Sequence, residues 1–261
     1  MTNLGEKDQA IDRNYVLYDG FVQALPRLLG SRRAELLARA SRLDPLRSWF
    51  YFALKASVGL DSVNKDVRKV NYYEFGTGWG STLVKFLDAL RSINYSVRLP
   101  PEKVSLVLFD SFEGLPESTD NRDLNPEWRV GQFSHSVSQI KSLLQWKRYP
   151  TDIPSTYFVK GHYDASLTVD LRMSLTHIPP TIITIDVDYY SSASTVLRWL
   201  RPLLNPGAYL YLDGAWDFHG DPSKGELGAL NEFNEEGRGR FLQSNEFRIP
   251  ELIGKTFVYL E

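Results

Sequence analysis

The chain has 261 residues, 43% hydrophobic and 24% charged, a balance that supports one large α/β domain and argues against disorder. Its formal net charge of −2 gives no general attraction to nucleic acid or to an anionic membrane, so neither is expected as a partner. There is no cysteine, which excludes disulfides, zinc–thiolate sites and cysteine nucleophiles.

The opening MTNLGEKDQAIDR is polar, and no apolar run approaches the ~18 residues of a membrane span, so a cytoplasmic protein is expected. Residues 14–60 carry apolar side chains at three- and four-residue spacing in NYVLYDGFVQALPRLL, RRAELLARASRL and LRSWFYFALKASVGL. They predict a helical extension over residues 1–64, ahead of a second domain over 65–261. The aromatic-rich SWFYFALK is read as core packing, with the face of a homo-oligomer as the alternative.

From residue 70 the pattern alternates. VNYYEF reads as a strand, STLVKFLDALRSI as a helix, RSINYSVRLPPEK as an insertion, and VSLVLFD as a strand. The polar ESTDNRDLNPEWRVGQFS is long enough to be a lid, with Trp128 and Phe133 available to cover a ligand; a solvated loop is the alternative. SVSQIKSLLQWK is helical, STYFVKG and TIITIDVD are strands, and SASTVLRWLRPLL is a helix. PGAYLYLDG is a turn and strand, GELGALNEFNEEG a helix, and FRIPELIGKTFVYLE a closing hairpin. Strands separated by helices predict a doubly wound, mostly parallel seven-stranded sheet, with an antiparallel strand at its edge.

Glu74, Asp110, Gly161, Asp186 and Asp213 stand in or just after successive strands, so they should line one crevice at the carboxyl ends of the sheet. Gly76, Gly78 and Gly80 follow the first strand. Their G-x-G-x-G spacing departs from the dinucleotide fingerprint G-x-G-x-x-G, and no GK[ST] follows, so the loop suits close backbone contact with a ligand other than a triphosphate. Glu74 beside it could attract a cationic group. His219, in GAWDFHGD just beyond Asp213, is a candidate base, against the plainer reading of an exposed loop histidine. Asp188 is either a base or the cap of the helix that begins at Ser191.

YYEFGTGWGST resembles motif I of the class I S-adenosylmethionine (SAM) methyltransferases. LFDSFEGLPE, WRVGQFSHSVSQIKSLL, YFVKGHYDASL and TIDVDYYSSASTVLRWLRPLLNPGAYLYLDG then occur in an order that resembles the macrocin O-methyltransferase family, over about Tyr72 to Gly214. The resemblance implies SAM as cofactor. It places Glu74, Gly76, Thr77, Gly78, Gly80 and Ser81 around the cofactor's amino-acid and sulfonium region. It also implies Asp110 on the ribose hydroxyls, Ser111 and Phe112 flanking ribose and adenine, Gly161 and His162 near adenine, and Asp186 beside the sulfonium. A magnesium ion is implied as an option, held by Asp186 and Asp213, although Gly214 stands where an acidic or amide partner is expected; Asp188 or Asp217 could compensate. The implied reaction is methyl transfer to a hydroxyl of a small-molecule acceptor, a sugar or secondary metabolite, with Asp186, Asp188 and His219 as catalytic candidates. The alternatives are a nicotinamide-dependent oxidoreductase on a similar sheet and a non-catalytic SAM-binding protein.

Overall fold

The computed structural model describes residues 44–58, 68–97, 99–118, 120–146, 155–237, 239–244 and 254–261. The helices expected over residues 14–43, the expected boundary at residue 64 and most of FRIPELIG lie outside the described residues.

Seven strands form one sheet in the order β3-β2-β1-β4-β5-β7-β6. They are β1 (Val70–Phe75), β2 (Val104–Asp110), β3 (Thr156–Lys160), β4 (Ile182–Ile185), β5 (Tyr209–Leu212), β6 (Arg240–Gln243) and β7 (Lys255–Leu260). The first five are parallel, while β7 runs antiparallel to both β5 and β6. The doubly wound, mostly parallel sheet is therefore as expected, with one difference at its end. The antiparallel strand β7 is inside the sheet, and the edge is β6, built from RFLQ. Phe241 makes that possible: it is buried against Phe233 and Tyr259, at ring distances of 5.7 and 5.2 Å.

Strand β1 is buried on both faces, as the centre of a parallel sheet requires. Its side chains alternate between two cores. Tyr72 stacks on Phe86 at 3.9 Å, in the layer formed by α1 (Pro45–Val58), α2 (Ser81–Val97) and α3 (Val137–Trp146). Phe75 stacks on Phe109 at 4.3 Å on the other face. That face carries α4 (Tyr163–Ser166), α5 (Val169–Ser174), α6 (Tyr190–Leu200) and α7 (Gly225–Glu236). Helix α1 contains SWFYFALK and buries Leu46, Trp49, Phe50, Ala53 and Leu54 at helical spacing. Trp49 lies 5.6 Å from Tyr211 of β5, so this aromatic face is spent inside the chain's own core.

Helices α4 and α5 are short, four and six residues, below the length at which periodicity separates a helix from a loop. Local chemistry starts the second: the Thr168 hydroxyl accepts the Leu171 N–H.

Candidate active site

The carboxyl ends of β1, β2, β4 and β5 open onto a cavity of about 600 Å³. The glycine loop forms one wall. Gly76 turns the chain out of β1 with φ 83°, and its N–H donates to the Phe109 carbonyl at 2.9 Å. A β-carbon there would run into the Asp186 carbonyl oxygen, so glycine lets the ends of β1 and β4 approach. Gly78 has φ 51° and nothing within 4 Å of its missing β-carbon, which leaves bare backbone facing the cavity. Thr77 also lines the cavity, and its buried hydroxyl has no partner in the protein.

Asp110, at the end of β2, ties this loop down. Its Oδ2 accepts the Gly78 N–H at 2.8 Å and its Oδ1 the Phe112 N–H at 2.6 Å. A carboxylate offers about four lone-pair sites, so each oxygen can accept one further bond from the cavity side. Ser81, Ser111 and His162 also border the cavity, and Ser111 closes the next turn by donating to the Gly114 carbonyl at 3.0 Å.

Four expected cofactor residues do not reach the cavity surface. Glu74 is fully buried beneath the loop, where its Oε2 accepts the Tyr72 hydroxyl at 2.9 Å. Burial pushes its carboxyl up to about 8, which does not fit a standing negative charge that draws a cation. Phe112, held at φ 57°, belongs to the core with α2 and α3. The open side of Gly80 meets Ile140 and Leu143 of α3, and that of Gly161 meets Ser166. These residues shape the wall from behind.

The opposite wall is acidic. Asp186 and Asp188 follow β4, Asp213 follows β5, and all three line the cavity. Burial, then repulsion from Asp213 and Asp188, pushes the Asp186 carboxyl well above the usual range. Burial, then Asp217 and Asp213, pushes Asp188 up to about 7. Asp188 does not cap α6. That place is taken by Asp123, whose Oδ1 accepts the Ser191 N–H at 3.1 Å and whose Oδ2 accepts the Ser191 hydroxyl at 2.6 Å. His219 is exposed outside the cavity lining, on a turn where its N–H donates to the Trp216 carbonyl, so the expected catalytic histidine is not brought to the site.

Sequence reading missed three contributors. Trp79, inside the glycine loop, is half exposed and lines the cavity together with the expected Phe133, and its place between two glycines was a readable signal. Asp123 sits in a polar run and is buried only by tertiary contact. Glu226, the second residue of α7, is also fully buried, and burial pushes its carboxyl well above the usual range. Its Oε1 accepts the Val187 and Asp188 N–H groups at 2.6 and 3.1 Å, and its Oε2 accepts the Gly214 N–H at 2.9 Å. The expected lid is partly tethered. Ser118 and Arg122 flank the buried Asp123, the Arg122 guanidinium lies 3.5 Å over Tyr190, and Trp128 packs on Tyr189 and Phe218 rather than over the cavity.

The magnesium option fits this donor set poorly. Asp186 and Asp213 both face the cavity, but a side chain at Gly214 would meet the Asp217 carboxylate at 2.5 Å and the Glu226 carboxyl carbon at 3.0 Å. Among the described residues no group of three or more histidine, aspartate or glutamate side chains is arranged to hold a metal ion. A SAM-sized ligand fits better: the cavity pairs open Gly78 backbone and the unpartnered Thr77 hydroxyl with Asp110.

The strand order, the glycine loop and the acid at the end of β2 are those of the class I SAM-dependent methyltransferases, which this chain resembles. Within that class it resembles the macrocin O-methyltransferase family, as its motifs implied. No family model matches the chain. It is 27% identical over 221 residues, 82% of its length and 75% of the relative's, to 8-demethyl-8-(2,3-dimethoxy-alpha-L-rhamnosyl)-tetracenomycin-C 4'-O-methyltransferase of Streptomyces olivaceus. The solved calicheamicin methyltransferase CalS11 has a similar fold, with a TM-score of 0.59 at 21% identity over 91% of this chain and 90% of that one. The O-methyltransferase NovP gives 0.51 at 15% identity, over 80% and 78%. The oxidoreductase and non-catalytic alternatives are not favoured by the curated relative. Among the described residues no helix is long and apolar enough to cross a membrane.

Proposed function

We propose that the chain transfers the methyl group of SAM to a hydroxyl of a sugar carried on a secondary metabolite, as a cytoplasmic enzyme. The observation that carries this reading is that one cavity is shared by the glycine loop with Asp110 and by the carboxylates Asp186 and Asp188. When bound, SAM supplies an electrophilic methyl on its sulfonium. Asp110 and the backbone of Gly76 to Gly78 hold the cofactor, with Ser81, Ser111 and His162 along its length. Asp186 orients the acceptor. Asp188, whose carboxyl is held near 7, takes the hydroxyl proton as the oxygen–methyl bond forms and the sulfonium–methyl bond breaks; S-adenosylhomocysteine leaves. The relative from Streptomyces olivaceus carries a name that specifies a rhamnosyl 4'-hydroxyl, and this supports a glycosyl acceptor. No step is routed through a metal.

The test is methyl transfer from radiolabelled SAM to 4-nitrophenyl α-L-rhamnopyranoside and to rhamnosylated polyketides. Labelled O-methyl sugar is expected. If label appears only in aglycones, or in amines, the assigned acceptor class is wrong.

A further inference from the structure

Glu226 is a carboxylate that neither the glycine motif nor the strand-end acids account for. It lies in the first turn of α7, yet it is fully buried and the hydrogen bonds to its side chain come from other segments. Three backbone N–H groups converge on it. Two, from Val187 and Asp188, belong to the turn after β4, and one, from Gly214, to the turn after β5. These turns carry Asp186, Asp188 and Asp213. Glu226 is the only described side chain that hydrogen-bonds to both turns.

Two further observations make the contact specific. Asp188 is held at φ 62°, in the left-handed region that a non-glycine residue rarely adopts. Its N–H and that of Val187 point to the same Glu226 oxygen, so the carboxylate stabilises this conformation from behind. In addition, a β-carbon on Gly214 would lie 3.0 to 3.1 Å from the Glu226 carboxyl group, and 2.5 Å from the tip of Asp217 in the same loop. The volume that a side chain at residue 214 would use is already filled by two acids, the exposed Asp217 and the buried Glu226 delivered from the following helix.

We infer that Glu226 is a positioning residue. Its two carboxyl oxygens pin the turns after β4 and β5 to each other and so set the directions of Asp186, Asp188 and Asp213, in place of a side chain at residue 214. This rests on the methyltransferase reading for its consequence in catalysis, but the clamp itself does not.

Residue-resolved amide exchange on the full chain tests the clamp, with Glu226→Ala, Glu226→Gln and the double variant Glu226→Ala/Gly214→Asp. In Glu226→Ala, exchange at Val187, Asp188 and Gly214 should rise by about 100-fold, while β1 and β2 keep their protection. Glu226→Gln retains one carbonyl acceptor and should lie between. The double variant returns a carboxylate to the vacated volume and should recover protection at Val187 and Asp188. Calorimetry with S-adenosylhomocysteine should give affinities within about threefold of wild type throughout, because the glycine loop is untouched. With the rhamnoside probe, kcat should fall by about 100-fold in Glu226→Ala with the KM for SAM unchanged, and should recover in part in the double variant. Unchanged exchange at the three amides overturns the clamp, as does loss of protection throughout the sheet. If the wild type fails to bind S-adenosylhomocysteine, the function is wrong, and the exchange experiment still decides the clamp.

Discussion

The two walls of the cavity are built in opposite ways. The wall after β1 and β2 is made by neighbours in sequence and in the sheet: Gly76 to Gly80 form one loop, and Asp110 ties it from the adjacent strand. The wall after β4 and β5 is held from a distance. Glu226 reaches back 39 residues to Val187, and Asp123 reaches forward 68 residues to Ser191. A site can therefore announce its cofactor side in a short motif while its reacting side depends on contacts that no motif displays.

The two walls should separate most clearly when a carboxyl group is removed from the acidic one. Asp188→Asn should lower turnover with the rhamnoside by roughly 10²-fold or more, the scale of losing a positioned base, while the affinity for S-adenosylhomocysteine stays within about threefold. Steady-state kinetics and calorimetry on the same preparation check both halves. Equal losses in binding and turnover would mean that the two walls are not separable. On the other wall, Gly78→Val should weaken S-adenosylhomocysteine by at least about tenfold, because the new side chain enters the open space above the loop. Gly76→Ala should instead fail to give folded protein, since its β-carbon meets Asp186 backbone.

Smaller effects sharpen the contrast. Asp123→Ala leaves the Ser191 N–H and two hydroxyls without their acceptor and uncaps α6, which should cost ~1–3 kcal/mol in urea unfolding. Exchange should then rise in residues 120–133 before it rises in the glycine loop. Glu74 supplies a pH test. Its folded carboxyl sits at about 8, above its unfolded value of 4.5, so the folded state binds the extra proton between those limits. Stability should be greatest below about pH 4.5 as far as this group is concerned, and should fall by up to ~1.4 kcal/mol per pH unit as pH rises toward 8. Glu74→Gln should flatten that slope in denaturant melts; an unchanged slope would show that Glu74 is ionised in the folded protein. The smallest effect expected is that of EDTA, which should leave the wild-type rate within about twofold, given the donor set around Gly214.

How far the sequence could be read follows the same division. The order of strands and helices was legible because β1, β2 and β4 are apolar runs bounded by glycine or acid, and α2, α6 and α7 are long enough to show their period. The edge was not: RFLQ offers one buried residue in four, so Phe241 alone gives no alternation to detect. Within the site, Gly76, Gly78, Asp110, Asp186 and Asp188 stood out because strand ends are predictable positions. Glu74 fitted the motif as a charge, yet whether it faces a ligand or Tyr72 depends on the sheet face it occupies, and that is set by packing. Glu226 looked like an ordinary acid in the first turn of a helix. Only the folded chain brings three N–H groups to it.

The central claim is that the glycine loop and Asp110 hold SAM in the cavity that the β4 and β5 acids close. Calorimetric titration of S-adenosylhomocysteine into the wild-type chain, with NADH as the competing ligand, tests it most directly. Saturable one-to-one binding of S-adenosylhomocysteine is expected, lost or sharply weakened in Gly78→Val and retained in Asp188→Asn, with no heat from NADH. Saturable binding of NADH with none of S-adenosylhomocysteine would contradict it.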